Sequence, residues 1–165
     1  MADYSSWYDI NMPPVLLEDD QEVELEPGFA YAVEPFAKPE TQTHKGKDVL
    51  VVDDDPYLCD IMVEVLESEG HNTRSASNGQ EALDRIRERK PQLVLLDLMM
   101  PVMNGWEVAS ALRANPDWAD IPVVLITAAH GSPEQKRAST GARAVISKPF
   151  DIDTLAEVVD EHAND

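Results

Sequence analysis

The sequence predicts an α/β domain with a parallel, doubly wound sheet and helices on both of its faces. Over residues 47–165, short apolar runs alternate with segments that have the apolar spacing of amphipathic helices. The strongest runs are apolar throughout, as strands are when a sheet is covered on both sides. Strands that alternate with helices imply right-handed crossovers between parallel neighbours. Five such units in about 118 residues can bury a substantial core.

The first unit has clear boundary signals. A buried strand is predicted at Asp48–Val52, and Pro56 suits the first turn of the following helix. Asp55 can accept the free backbone N–H groups at the start of that helix, which makes it the expected N-cap. Gly70 is expected to end the helix because glycine tolerates the left-handed conformation there. The apolar stripe of the helix is predicted to consist of Leu58, Met62, Val65 and Leu66.

The second and third units follow the same alternation. A short strand is expected at Asn72–Ala76, then a turn at Asn78-Gly79 and a helix over 80–89 that stops before Pro91. Three residues of that helix are predicted to face inward: Ala82, Leu83 and Ile86. The strongly apolar strand Leu93–Leu96 comes next, and a loop over 100–105 leads to a helix over 106–114.

The last two units are less regular. A strand is predicted over 123–126, and the helix after it, over 133–138, has a poor apolar pattern. The final strand is Ala144–Ser147, followed by Lys148-Pro149. Asp151 is the expected cap of the last helix, Ile152–His162. Its inward face is predicted to be Ile152, Leu155 and Val159.

Composition excludes several classes of protein. With 13 basic and 32 acidic residues, the net charge is −19, which disfavours nucleic acids and anionic membranes as partners. Cys59 is the one cysteine, so neither an internal disulfide nor a multi-cysteine zinc site is available. The N-terminus lacks the pattern of a signal peptide, and the longest apolar run is interrupted by Asp97 and Pro101. We therefore expect a soluble, cytoplasmic protein.

Residues 1–46 differ from the rest of the chain and are treated as a separate segment. Residues 1–44 contain ten acids, one base and five prolines, which is typical of a solvated acidic tail. Apolar residues nevertheless alternate on both sides of Pro27-Gly28, a pair that suits the centre of a type II turn. The alternative to a solvated tail is a short hairpin that docks on the main domain or on a partner, because an isolated hairpin is marginal in water.

Polar side chains follow four of the predicted strands at the points where these strands end. They are Asp53 with Asp54, Asp97, Thr127 and Lys148. Because the carboxyl ends of parallel strands share one edge, these residues should converge. Crowded carboxylates repel each other, and a hard divalent cation such as Mg²⁺ relieves that repulsion. A carboxylate can also act as a nucleophile toward phosphorus, while an ammonium and a hydroxyl can hold phosphate oxygens.

The residues that carry these features resemble one family, the response-regulator receiver domain of two-component signalling. The matching segments cover residues 47–163, and they are Val51 to Pro56, Leu95 to Pro101, Asn104-Gly105, Ile126 to Ala128 and Lys148 to Phe150. The resemblance implies a flavodoxin-like sheet with strand order 2-1-3-4-5. It also implies a phosphoprotein rather than a true enzyme, cytoplasmic and dependent on Mg²⁺.

The resemblance also implies a role for each matched residue. Asp97 would accept a phosphoryl group from a histidine kinase or a histidine phosphotransfer protein. Lys148 would contact the acyl phosphate, Thr127 would move toward it, and the backbone N–H of Ala128 would help to hold it. The Lys148-Pro149 peptide would be cis. The Mg²⁺ ligands would be Asp53, mainly through water, and Asp54, Asp97 and the backbone carbonyl of Met99.

The sequence departs from the family pattern at Val145, where members often carry a tyrosine or phenylalanine. A rotating aromatic side chain therefore cannot couple the site to the surface here. Neither Met99 nor Ala129 has a polar side chain that could position an attacking water, so we expect slow self-dephosphorylation. Since no helix-turn-helix pattern follows the receiver segment, we expect output through contacts with an unknown downstream protein, from a monomer or weak dimer.

Two other functions stay open at this point. One is a receiver-like scaffold that binds partners without being phosphorylated, for which Val145 is the supporting observation. The other is a Mg²⁺-dependent phosphatase working through an aspartyl phosphate, because Asp53-x-Asp55 resembles the start of haloacid-dehalogenase-type phosphatases. Against the phosphatase, Tyr57 stands where a threonine or valine is usual. The acidity itself has a separate explanation in a high-salt host, since charge bears on solubility rather than on fold.

Overall fold

Five parallel strands form one sheet in the order β2-β1-β3-β4-β5. This arrangement comes from a computed structural model, which describes residues 46–163. The hairpin predicted around Pro27-Gly28 lies outside the described residues. The strands are β1 (Asp48–Val52), β2 (Asn72–Ala76), β3 (Leu93–Leu96), β4 (Val123–Thr127) and β5 (Ala144–Ser147). Both the parallel sheet and the expected strand order are confirmed.

The helices alternate with the strands and cover both faces of the sheet. They are α1 (Pro56–Ser68), α2 (Gly79–Glu88), α3 (Gly105–Ala114), α4 (Pro133–Thr140) and α5 (Ile152–His162). Buried residues of α2 and α3 belong to the apolar core on one face. Those of α1 and α5 belong to the core on the other. Helix α4 contacts β5 and α3, which places it on the face of α2 and α3.

The three central strands are buried because helices cover them on both sides. Every residue of β3 and β4 is buried, as are the last four residues of β1. The edge strand β2 has the more polar sequence NTRSA, and only Ala76 is buried there. This distribution puts the strongest apolar strands beside each other at the centre, where the carboxyl ends of β1 and β3 meet.

Helix boundaries follow the capping residues. The Asp55 side chain accepts the N–H groups of Tyr57 and Leu58 at the start of α1, and Asn104 forms a capping box with Glu107 at the start of α3. Such caps satisfy backbone donors that have no partner inside the helix. None of the described helices has the length and apolar character needed to cross a membrane.

Three details differ from the sequence predictions. The buried residues of α1 are Cys59, Met62 and Leu66, whereas Leu58 and Val65 are only partly buried. Ile152 was expected to face inward. It is the first residue of α5, at the amino end of the helix, and it is 51% exposed. Helix α4 runs two residues further than predicted, to Thr140, because Gly141 ends it in the left-handed conformation.

Candidate functional site

Two carboxylates are fixed at neighbouring strand ends. Asp53 directly follows β1, and its N–H donates to the carbonyl of Ala76 at 3.1 Å. Asp97 directly follows β3, and its N–H donates to the carbonyl of Val52 at 2.9 Å. Each bond continues the sheet pattern by one residue, so the backbone of both acids is held by the sheet. Their side chains are buried, with 2% and 4% exposed for Asp53 and Asp97.

Lys148, which directly follows β5, places its ammonium between these two acids. Its Nζ lies 2.5 Å from Oδ2 of Asp53 and 3.3 Å from Oδ2 of Asp97. The other oxygen of each acid accepts a backbone N–H, from Asp55 at 2.9 Å and from Met99 at 3.2 Å respectively. The Lys148–Pro149 peptide is cis, as the resemblance implies. Every oxygen of the two buried carboxylates therefore has a donor.

Burial and ion pairing oppose each other in this cluster. Burial raises the pKa of Asp53, and it outweighs the hydrogen bonds from Lys148 and Asp55, which lower that pKa. Burial by itself would lower the pKa of Lys148, but its hydrogen bond to Asp53 and the charges of Asp53 and Asp97 raise it overall. Lys148 is therefore held as a cation, and burial keeps the pKa of Asp53 above its ordinary value.

A third acid completes a set of ligands suited to a divalent cation. Carboxylate oxygens of Asp53, Asp54 and Asp97 all lie within 4.8 Å of one another. Asp54 is exposed, so water can reach this side of the cluster. Mg²⁺ is usually held by a few carboxylates together with retained waters. The donor set therefore fits that ion.

Thr127 and Ala128 occupy the end of β4 and the start of the loop after it. Thr127 is 1% exposed, and its Oγ1 accepts the N–H of Ala129 at 3.1 Å. The structure gives this hydroxyl no hydrogen bond to Asp97. Ala128 is exposed, and the carbonyl of Thr127 accepts the N–H of Lys148 at 3.1 Å. The cluster of Asp53, Asp54, Asp97 and Lys148 is thus brought together directly, whereas Thr127 is attached to it through the backbone of Lys148.

The backbone around Asp97 needs a glycine at the start of α3. A Cβ on Gly105 would lie 2.3 Å from the carbonyl oxygen of Asp97 and 2.8 Å from Cα of Leu98. Gly105 also donates its N–H to the carbonyl of Leu98 at 3.1 Å. Asn104-Gly105 therefore holds α3 against the segment that carries Asp97.

Two features beside the site were not predicted from the sequence. Cys59 donates its thiol to the carbonyl of Asp53 at 3.3 Å, and burial, followed by the charge of Asp53, raises the thiol pKa to about 11. Five large apolar side chains are exposed at the start of a helix or in the loop beside Asp97. Helical spacing gives no signal for either feature, because both depend on how the strand ends are arranged. The five residues are Tyr57, Met99, Val102, Trp106 and Ile152.

The loop after Asp97 includes a strained residue. Val102 has φ +69°, which is costly for a β-branched side chain. The N–H of Met103 donates to the carbonyl of Pro101 at 2.8 Å across it, which makes a γ-turn. The Val102 side chain is 84% exposed, so the turn presents an apolar group to the solvent beside the acidic cluster.

Comparison with known proteins gives one family. Residues 49–160 match the model of the response regulator receiver domain. The DivK polar-differentiation response regulator of Brucella anthropi is 32% identical over 120 residues, which are 72% of this chain and 98% of DivK. The DNA-binding response regulator MtrA of Mycolicibacterium smegmatis is 42% identical over 103 residues. These cover 62% of this chain and 44% of MtrA, so the chain matches less than half the length of that relative.

Solved structures agree with the sequence comparisons. The signal receiver domain of a signal transduction histidine kinase from Syntrophus aciditrophicus has a TM-score of 0.65 and 31% identity. The comparison covers 70% of this chain and 89% of that one. The chemotaxis response regulator CheY4 of Vibrio cholerae has a TM-score of 0.65 and 29% identity, with 70% of this chain and 98% of CheY4 covered.

Proposed function

This chain belongs to the response regulator receiver domain family, and from that membership we propose that Asp97 accepts a phosphoryl group in two-component signalling. The observation that carries the proposal is the pairing of one ammonium, that of Lys148, with two buried carboxylates beside a third, exposed one. A purely structural ion pair would need one acid for one base. The surplus of carboxylates suits a site that takes up further positive charge and then a phosphoryl group.

The proposed reaction is a direct displacement at phosphorus. A carboxylate oxygen of Asp97 forms a bond to the phosphorus of a phosphohistidine, and the phosphorus–nitrogen bond breaks. The electron pair of that bond stays on the imidazole nitrogen, so the phosphoryl group moves without a hydrolytic step. Lys148 neutralises charge on the incoming oxygens. Thr127 and the N–H of Ala128 complete the phosphate contacts once the group is in place.

Asp53, Asp54 and Asp97 are the residues that would hold Mg²⁺, with the carbonyl of Met99 as a fourth ligand. When bound, the ion supplies positive charge to the phosphoryl oxygens. Lys148 donates to both Asp53 and Asp97, and these hydrogen bonds hold Asp97 in place. Three carboxylates held close together repel one another, and a bound cation relieves this repulsion.

The partner that delivers the phosphoryl group is proposed to be a histidine kinase or a histidine phosphotransfer protein. Large apolar side chains are exposed at the starts of α1, α3 and α5 and in the loop after Asp97, which all follow strand ends at the edge of the sheet that carries the acidic cluster. They are Tyr57, Met99, Val102, Trp106 and Ile152. A small phosphodonor would not need this apolar surface, whereas a partner protein could bury it on binding. The net charge of −19 opposes nucleic acid as the downstream partner, so output is proposed to pass through protein contacts.

Intact-mass analysis tests the proposal. The full chain is incubated with Mg²⁺ and acetyl phosphate, and the same is done for Asp97→Asn and Asp55→Asn. One phosphoryl adduct is expected in the wild type and none in Asp97→Asn. Asp55→Asn is the matched control, because asparagine also caps a helix and Asp55 serves as the cap of α1.

Chelating the divalent cation should remove the adduct from both the wild type and Asp55→Asn. An adduct that persists in Asp97→Asn would contradict the assignment of the acceptor. A folded wild type that takes no phosphoryl group from acetyl phosphate or from a phosphorylated histidine phosphotransfer protein would favour the scaffold interpretation instead.

A further inference from the structure

Helix α4 has a charged residue on the face that it turns toward the protein interior. Its two buried residues are Lys136 and Thr140, which lie one turn apart. Lys136 is only 7% exposed. Lysine is rarely buried to this extent unless its charge is paired. The helix otherwise has no large apolar residue with which to pack on the sheet.

The ammonium of Lys136 is not paired within the part of the chain that the structure describes. No ion pair or hydrogen bond of its Nζ occurs among residues 46–163, whereas Lys148 has two carboxylates. A buried stem with an unpaired charge is stable only if its end reaches water. Among the described residues, Lys136 therefore has a buried stem and an ammonium that reaches water without a counter-charge.

The two ends of α4 are held differently. At the carboxyl end, Arg113 of α3 donates to the carbonyl of Ser139 at 3.0 Å, and Gly141 closes the helix. Thr140 Oγ1 donates to the carbonyl of Lys136 at 2.7 Å and accepts the N–H of Ala142. At the amino end, the bonds are local, in the capping box between Ser132 and Gln135. The amino end is thus the end that can shift.

That end lies on the side of the candidate site. Strand β4 ends at Thr127, and a loop over 128–132 leads directly to Pro133, the first residue of α4. Lys136 is the fourth residue of the helix. Because Cα–Cβ bonds in a helix tilt toward its amino end, the Cα–Cβ bond of Lys136 is directed toward the site edge of the sheet.

The charge of the site changes when Asp97 is phosphorylated. Asp53, Asp54 and Asp97 carry three negative charges against one positive charge on Lys148, and a divalent cation brings the total to neutrality. Converting the carboxylate to a dianionic acyl phosphate then adds one negative charge. Lys136 is the unpaired cation on the core face of the helix next to Thr127 and Ala128.

We propose that Lys136 is the residue through which α4 responds to phosphorylation. Its ammonium is drawn toward the new negative charge, and the amino end of α4 moves with it while Ser139 stays fixed to Arg113. This inference rests on the proposed function. Val145 is small and partly buried against the core on the same face. Because it has no aromatic ring to rotate, the movement of α4 is proposed to depend on the charge of Lys136 instead.

The expected effect is measurable. At an effective dielectric constant of about 20, bringing one charge pair from about 12 Å to about 8 Å apart shifts an equilibrium between the two positions of α4 by about threefold. The effect should weaken as salt is added, because ions screen partly exposed charges. Simple packing by the lysine stem would not depend on salt in this way.

Hydrogen exchange of peptides covering 128–140 tests the proposal in the full chain, with Mg²⁺ and with or without beryllofluoride as a stable phosphoryl mimic. The wild type should show a change in exchange of about threefold at low salt. Lys136→Met, which keeps an unbranched apolar stem, should lose most of this change, and Lys136→Arg should keep it. Arg137→Met is the matched control, since it removes an exposed positive charge from the next residue and should behave as the wild type.

Intact mass after acetyl phosphate treatment is recorded for every variant. If all are phosphorylated and Lys136→Met responds as the wild type does, or Arg137→Met loses the response equally, the role of Lys136 is overturned while the proposed function stands. If Lys136→Met does not fold, loss of the response in Lys136→Arg would overturn the proposal. If the wild type takes no phosphoryl group, both the function and this inference are overturned.

Discussion

Asp53 and Asp97 are buried acids that remain compatible with folding because each has two donors. A backbone N–H serves one oxygen of each acid, and Lys148 serves the other. Removing one partner of a buried pair is costly, because a charge is then left without compensation. Lys148 therefore has a structural part in keeping the acids in place before any phosphoryl group arrives.

At the scale of residues, the sequence predicted which side chains converge wherever their position at a strand end is enough to bring them together. Asp53, Asp97 and Lys148 follow buried strands directly, so the parallel sheet brings them together without any help from loops. Thr127 is the last residue of β4, but its hydroxyl accepts from Ala129 rather than contacting Asp97. Hydroxyl direction depends on a rotamer and on the loop after β4, which residue spacing does not specify.

Glu81 gives a prediction for pH dependence. The N–H and hydroxyl of Ser77 both donate to its carboxylate, and together with Arg85 they outweigh burial and lower the pKa of Glu81. A lowered pKa in the folded state contributes stability above the unfolded value of 4.5, which is lost as the pH falls through the folded value. Because Glu81 is partly exposed, Glu81→Gln should cost less than about 1 kcal/mol at neutral pH.

Urea unfolding of the wild type and Glu81→Gln at about pH 7 and about pH 3.5 would measure this difference. We expect the gap in unfolding free energy to narrow at the lower pH. Glu88→Gln, at an exposed position of the same helix, is the control. An equal gap at both values of pH would show that the carboxylate charge of Glu81 is not responsible.

At the scale of elements, the network around Asp48 ties β1 and β2 to the end of α2. Asp48 accepts from Arg74 at 3.1 Å and from Arg89 at 2.6 Å. Arg74 also donates to the carbonyls of Arg85 and Arg89, at 2.9 and 2.8 Å. The Arg85 carbonyl also accepts the backbone N–H of Arg89, whereas Arg89 lies past the last residue of α2, where carbonyls have no partner inside the helix. One partly buried aspartate therefore stabilises both an edge strand and a helix end.

Asp48→Ala should lower the unfolding free energy by about 2 kcal/mol, because Arg74 would keep its partly buried position without a counter-charge. Denaturation in urea at neutral pH measures the change. Asp84→Ala is the matched control, since Asp84 pairs with Arg87 on the surface of α2, where both side chains are more than half exposed. A similar loss in the two variants would contradict the importance of the buried network.

Element boundaries were predictable where a cap or a proline marks them, and less so elsewhere. The bounds of β2, β3 and α5 agree with prediction because turns or capping residues flank them. Helix α4 was predicted too short because PEQKRAST has no apolar stripe. The signal that would have extended it to Thr140 is Gly141, which ends the helix in the left-handed conformation. Its buried Lys136 could not be predicted, since lysine normally marks an exposed face.

At the scale of the whole molecule, the acidic balance should make stability depend on salt. A net charge of −19 implies self-repulsion in the folded state, which ions screen. We expect Tm to rise by several degrees between about 0.1 M and about 1 M KCl, as the Debye length falls from about 10 Å to about 3 Å. Mg²⁺ should raise Tm further at matched ionic strength, because it binds the folded state alone.

Asp54→Asn should keep the response to KCl and lose most of the additional response to Mg²⁺. Asp60→Asn, which removes an exposed carboxylate from α1, should keep both responses. Thermal scans monitored by circular dichroism distinguish the two effects. A decrease of Tm with KCl would contradict the importance of self-repulsion, and an undiminished Mg²⁺ effect in Asp54→Asn would contradict the proposed ligand set.

The central claim is that Asp97 carries the phosphoryl group, and locating the modified residue tests it most directly. The full chain is treated with Mg²⁺ and acetyl phosphate and then with sodium borohydride, which reduces an aspartyl phosphate to homoserine. Peptide mass spectrometry should find homoserine at position 97, in amounts that fall when the divalent cation is chelated. Homoserine at position 53 or 54, or at none of the three, would contradict the account.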